Sequence, residues 1–135
     1  MTDTKAPQIA IMRSMLGRVR GLGAAKSGTQ HWWSQRVTAI ALIPLSLWFV
    51  ISVFTLIGAP RSAVAAWAAG PITATLLLAT IAALFQHMFL GVQVVIEDYI
   101  HGERARMAWL LAAKGSTALL ALAAAVSVLK LAFSG

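Results

Sequence analysis

A chain of 135 residues that is 59% hydrophobic and 11% charged, with a mean hydropathy of +0.80, lies outside the range of soluble globular domains and reads as a membrane protein. Cysteine is absent, which excludes disulfides, thiolate zinc sites and cysteine-held iron–sulfur clusters, so a metal in this chain needs histidine. The net charge of +7 would suggest nucleic acid in a soluble protein, but here the basic residues flank apolar runs and act as topology determinants, so no nucleic-acid partner is expected.

Residues 1–30 are a basic, non-spanning segment, with Lys5, Arg13, Arg18, Arg20 and Lys26 against the single acid Asp3. The apolar pattern of Ile9, Ile11, Met12, Met15 and Leu16 allows a short interfacial helix, and Gly21, Gly23 and Gly28 equally allow a flexible tail. Residues 31–135 form the membrane domain. Its first predicted span, residues 37–57, has no charge and is long enough to cross ~30 Å of hydrocarbon at ~1.5 Å per residue, with a kink expected at Pro44. The apolar core is too long and the basic leader too extended for a cleaved signal peptide.

Residues 58–71 are bracketed by Gly58 and Pro71 and read as a short connection carrying one charge, Arg61. The second span is predicted at residues 72–96. Residues 97–107 then hold Glu97, Asp98, Glu103, Arg104, Arg106, His101 and Gly102, too polar to be immersed. The third span runs over residues 108–133, with Lys114 and Lys130 placed to snorkel. The expected fold is therefore all-α, an integral membrane protein with three transmembrane helices.

Three spans put the two ends of the chain on opposite sides. Lys5, Arg13, Arg18, Arg20, Lys26 and Arg36 precede the first span and Arg104 and Arg106 follow the second, against Arg61 and Lys130 on the other side. The positive-inside rule places the N-terminus in the cytoplasm and the C-terminus in the periplasm of a bacterial inner membrane.

Within "LFQHMFLGVQVVIEDYIHGERAR" the histidine His87 stands in an otherwise lipid-compatible run. A histidine at that depth is costly, and two readings stand: a ligand or proton relay, or a buried imidazole bonded to a neighbouring helix. At about 100° per residue Gly91 lies about 40° from His87 on the same face, near Ala83 and Thr80, and these small residues leave room for something flat and bulky, such as a haem. His31 and His101 flank the spans, so a second axial histidine would come from another polypeptide. If the helix continues, Asp98 returns to within about 20° of the same face some 16 Å further on, with Tyr99 about 100° away. An interfacial aromatic anchor and a solvated helix-end charge are the plain readings of that pair.

The pattern H-x-x-x-G-x-x-x-x-x-x-D-Y in "QHMFLGVQVVIEDYIHG", carried by His87, Gly91, Asp98 and Tyr99, resembles the second span of the hydrophobic membrane anchors of succinate dehydrogenase, respiratory complex II. "GTQHWWSQRVTAIAL" resembles that family's approach to its first span. The S-P-H and H-R-x-T-G signatures of the paired cytochrome b subunit are absent.

The resemblance implies a membrane anchor of succinate:ubiquinone oxidoreductase, without activity on its own, forming part of a haem-binding helical bundle completed by the cytochrome b sister subunit. His87 would be one axial ligand of haem b and its iron. Tyr99 and Asp98 would serve the ubiquinone site, and Arg36 the haem propionates or the quinone. His31 is similar to a family histidine near the propionates, at a spacing from Arg36 that differs by about a residue. FAD and the iron–sulfur clusters would reside on the flavoprotein and iron–sulfur subunits. A fumarate reductase anchor, or a small non-redox membrane transporter or helper with a proton-relay histidine, are the alternatives.

Overall fold

The computed structural model describes residues 28–133, which form four α-helices: α1 (Gly28–Thr55), α2 (Arg61–Ala69), α3 (Pro71–Tyr99) and α4 (Glu103–Phe133). The expected basic segment up to residue 27, with its apolar pattern, lies outside the described residues. Three of the four helices, α1, α3 and α4, are long and apolar enough to cross a membrane.

The helix boundaries follow local chemistry. α1 runs unbroken through Pro44, although a proline has no N–H to offer the Ile40 carbonyl. After Thr55 the chain tightens through 3.0 Å bonds from Leu56 N to Val53 O and from Ala59 N to Leu56 O. Gly58 takes φ +79°, a left-handed conformation that a side chain would strain. α2 and α3 are separated by a single residue, Gly70, held extended at φ −60°, ψ 129°. The residue before a proline is pushed out of the helical region, and Pro71 fits the first helical position, so Gly70–Pro71 makes a sharp corner between the two helices. α3 closes with Ile100 N donating to Ile96 O at 3.0 Å, and α4 opens with Arg106 N donating to Gly102 O at 2.8 Å. Glu103 in the first turn of α4 and Lys130 in its last each suit the helix dipole.

One expectation is corrected, and the long helices extend beyond the expected spans. Residues 58–71 are not a plain connection, because the alanine-rich stretch between Pro60 and Gly70 has high helix propensity and forms α2. The first helix starts at Gly28 rather than 37, since Gln35 and Arg36 favour helix whatever their charge. For the same reason the polar stretch 97–107 is mostly helical, and only residues 100–102 fall outside α3 and α4.

The packing is open. α3 lies in the middle with α1 on one side and α4 on the other, and α1 and α4 do not pack on each other. α2 packs on α3 and α4, and its Trp67 stacks on Trp48 of α1 with ring centroids 6.0 Å apart. Buried side chains are few, Ala65 and Ala68 of α2 with Leu77, Leu90 and Ile96 of α3, and α1 and α4 contribute none among the described residues. Such an array leaves its apolar flanks to lipid and to other chains, where packing of small residues and van der Waals contact hold helices together.

Ala68 is fully buried whereas Ala66 faces outward. Ala68→Leu should therefore overpack the seam of α2 with α3 and α4 and cost about 1–3 kcal/mol, lowering the melting temperature of the purified protein, while Ala66→Leu leaves it unchanged.

Candidate functional site

A cluster of polar side chains lies on the seam between α1 and α3. On α1 the spacing of His31, Gln35 and Thr38 brings all three to one face, at about two helical turns from end to end. On α3 the matching face carries His87, Gly91 and Val94. Between the helices runs a groove of about 510 Å³, lined by His31, Trp32, Gln35, Arg36 and Ala39 from α1 and by His87, Gly91 and Val94 from α3.

His87 is half-buried, and its Nδ1 lies 3.1 Å from Thr38 Oγ1 across the seam. Thr38 in turn donates to its own helix, at 2.8 Å to Ser34 O and 3.0 Å to Gln35 O. Two side-chain atoms on this face, His31 Nε2 and Gln35 Oε1, are buried without a hydrogen-bond partner. An unsatisfied buried polar atom costs about 1–3 kcal/mol, so both call for a polar ligand in the groove. Gly91 opens the groove further: a Cβ there would meet only Gln35 Nε2, at 3.8 Å, so the chain's own packing does not require glycine. At the rim the Arg36 guanidinium sits over the Trp32 ring, 4.4 Å from its centroid, and Trp32 stacks on Trp33 at 5.8 Å.

The structure thus brings His31, Arg36 and His87 to one groove. His31, expected to flank the first span, belongs to α1 because the helix begins before it, and Trp32 lines the groove beside it. Asp98 and Tyr99 occupy the last turn of α3, so the helix does continue that far, but both are exposed, Tyr99 by 79%, and the groove on α3 ends at Val94. Thr38 and Gln35 were not singled out by sequence reasoning as site residues. Their spacing from His31 was a visible signal, whereas the partner of Thr38 was not.

Further clefts follow the seam of α3 with α4. One of about 530 Å³ is lined by Phe85, Gln86, Phe89, Lys114 and Thr117 among others, and one of about 370 Å³ by Glu97, Glu103, Arg106, Met107 and Leu110. Neither contains a histidine.

Among the described residues no three His, Cys, Asp or Glu side chains converge to hold a metal ion. A metal bound at His87 would take its remaining ligands from outside the described residues, from a macrocycle or from another chain. The groove suits a macrocycle, with one imidazole on its wall, a glycine where the backbone is approached, and two unpartnered polar atoms toward the Arg36 end.

The family described as succinate dehydrogenase/fumarate reductase transmembrane subunit matches residues 10–129. The chain belongs to this family. This member is similar to the succinate dehydrogenase hydrophobic membrane anchor subunit of Rickettsia bellii, 38% identical over 104 residues that cover 76% of this chain and 82% of that protein. The subunit of the same name from Paracoccus denitrificans is 34% identical over 82 residues, 61% of this chain and 64% of that protein. The succinate dehydrogenase membrane anchor subunit of Reclinomonas americana is 35% identical over 85 residues, 61% and 71% respectively. No solved structure matches. Family membership and three apolar spans together make the chain a membrane-anchor subunit rather than a free-standing transporter.

Proposed function

We propose that this anchor serves a succinate:ubiquinone oxidoreductase of a bacterial inner membrane, giving one axial histidine to haem b and part of the ubiquinone-reduction site. The observation that carries the reading is His87, an imidazole on the wall of an otherwise largely apolar groove whose backbone is left bare by Gly91. The family description spans both succinate and fumarate enzymes, and the names of the relatives favour the succinate-oxidising side.

His87 would offer Nε2 to the iron, with Nδ1 directed to Thr38. Arg36 at the rim pairs with propionate carboxylates, for which a forked guanidinium is suited. His31 Nε2, buried and unpartnered, would donate to the same carboxylates. When bound, haem b supplies a one-electron carrier inside the membrane domain. A further ligand would come from the cytochrome b sister subunit, packed on the flank that α1, α3 and α4 leave open.

Ubiquinone reduction consumes two electrons and two protons. The electrons come from succinate through the flavoprotein and iron–sulfur subunits, since this chain has no cysteine cluster of its own. The protons are taken up at the cytoplasmic end of α3. There the phenol of Tyr99 donates a hydrogen bond to a quinone carbonyl as charge develops on its oxygen. Asp98 beside it passes protons toward that phenol. The exposure of both side chains fits a pocket whose other walls belong to partner subunits.

Two experiments test this. In the purified complex, His87→Ala should remove or shift the b-type signal in a reduced-minus-oxidised spectrum, while Tyr99→Phe keeps that signal and loses quinone reductase activity. Full turnover in Tyr99→Phe would refute the role of the phenol. Because the chain has no cysteine, single replacements report sidedness cleanly: His101→Cys should react with an impermeant maleimide from the cytoplasm and Ser62→Cys from the periplasm, and labelling of both from one side would exclude the three-span arrangement.

A further inference from the structure

We infer that Thr38 is the positioning residue of the haem ligand: it fixes the tautomer of His87 and raises the basicity of its Nε2. This rests on the reading of His87 as an iron ligand and goes beyond it, by naming what prepares the imidazole for that task.

The Thr38 hydroxyl has one hydrogen and two lone pairs. On one side stand two backbone carbonyls, Ser34 O at 2.8 Å and Gln35 O at 3.0 Å, which can only accept. On the other side stands His87 Nδ1 at 3.1 Å. When the hydroxyl gives its hydrogen to one of the carbonyls, Oγ1 presents a lone pair to the ring and Nδ1 is the donor, which is the assignment that iron ligation through Nε2 requires. A neutral imidazole protonated at Nδ1 carries its free lone pair on Nε2. Nε2 has no hydrogen bond among the described residues and is not sealed by the chain. The opposite arrangement would put a hydrogen on Nε2 and leave no lone pair there for a metal.

Thr38 is also prepared in advance. The back-bond to its own helix selects one rotamer of a β-branched side chain, so Oγ1 is held in place before α3 packs against it. A hydroxyl that donates to a carbonyl becomes a better acceptor itself, and a hydrogen bond to the far nitrogen of a ligating histidine raises the basicity of the near one. A more basic axial imidazole favours the ferric over the ferrous state, so Thr38 holds the haem potential down and the ring plane fixed relative to the groove.

The test is a redox titration of haem b and low-temperature electron paramagnetic resonance on the purified complex. Thr38→Val keeps the shape of the side chain and removes the hydroxyl. The expected result is a haem potential raised by about 59 mV for a tenfold loss of ferric preference in a one-electron couple. Altered low-spin g values and haem retention weakened by roughly 10-fold should accompany it. Thr38→Ser should restore all three. Thr117→Val removes the same kind of local bond, Thr117 Oγ1 to Ala113 O, at a place with no histidine, and should change none of them. If Thr38→Val prevents assembly, Thr38→Ala carries the same expectation. Wild-type potential and g values in the hydroxyl-free variant, or an equal shift in Thr38→Ser, would overturn the role of the hydroxyl even where His87→Ala has lost its haem. An unchanged haem spectrum in His87→Ala would overturn the ligand reading itself, and this inference with it.

Discussion

The hydrogen bond between Thr38 and His87 is the constraint around which the membrane domain is arranged. An imidazole in a lipid-compatible helix needs a partner, and a threonine on the neighbouring helix provides one at 3.1 Å. That contact lies on the seam where α1 packs against α3. With the two helices packed, His31, Gln35 and Arg36 of α1 are carried to the groove that His87 and Gly91 share. The site is therefore a product of helix pairing, and neither helix contains it alone.

The openness of the array has the same origin. With α3 central and α1 and α4 kept apart, each outer helix has one protein neighbour along most of its length, and nearly all of its apolar surface faces outward. In water such a chain would aggregate. In a bilayer that surface is solvated by acyl chains, and what remains exposed is available to a second set of helices. Buried atoms without partners, His31 Nε2 and Gln35 Oε1, lie in that same unfinished region. An anchor subunit is expected to look like this: complete in its helices, incomplete in its polar contacts.

The three spans were legible because a span must exclude charge, and the chain has three long stretches that nearly do so. Helix ends were less legible. Arg36 and Glu103 mark where water begins, while helical hydrogen bonding continues past Arg36 back to Gly28 in one case and reaches Glu103 itself in the other. α2 was hidden by its own brackets, since Gly58, Pro60, Gly70 and Pro71 look like a turn until the alanines between them are weighed. His87 and Gly91 could be read from intramembrane cost and helical spacing. Thr38 could not be paired with His87, because 49 residues separate them and only tertiary packing brings them together. Asp98 and Tyr99 were placed on the right turn of the right helix, but their separation from the groove lies outside what periodicity conveys.

The central claim is that a prosthetic group lies in the groove between α1 and α3 against the bare backbone of Gly91. It is tested most directly by measuring the haem-to-protein ratio of the purified complex in Gly91→Ala and Gly91→Leu. Within this chain a Cβ at that position meets nothing nearer than Gln35 Nε2 at 3.8 Å, so Gly91→Ala should fold and assemble, and co-purification of the partner subunits checks assembly of Gly91→Leu. Partial haem is expected in Gly91→Ala and none in Gly91→Leu, with the partner subunits still co-purifying. A full complement of haem in Gly91→Leu would contradict the claim.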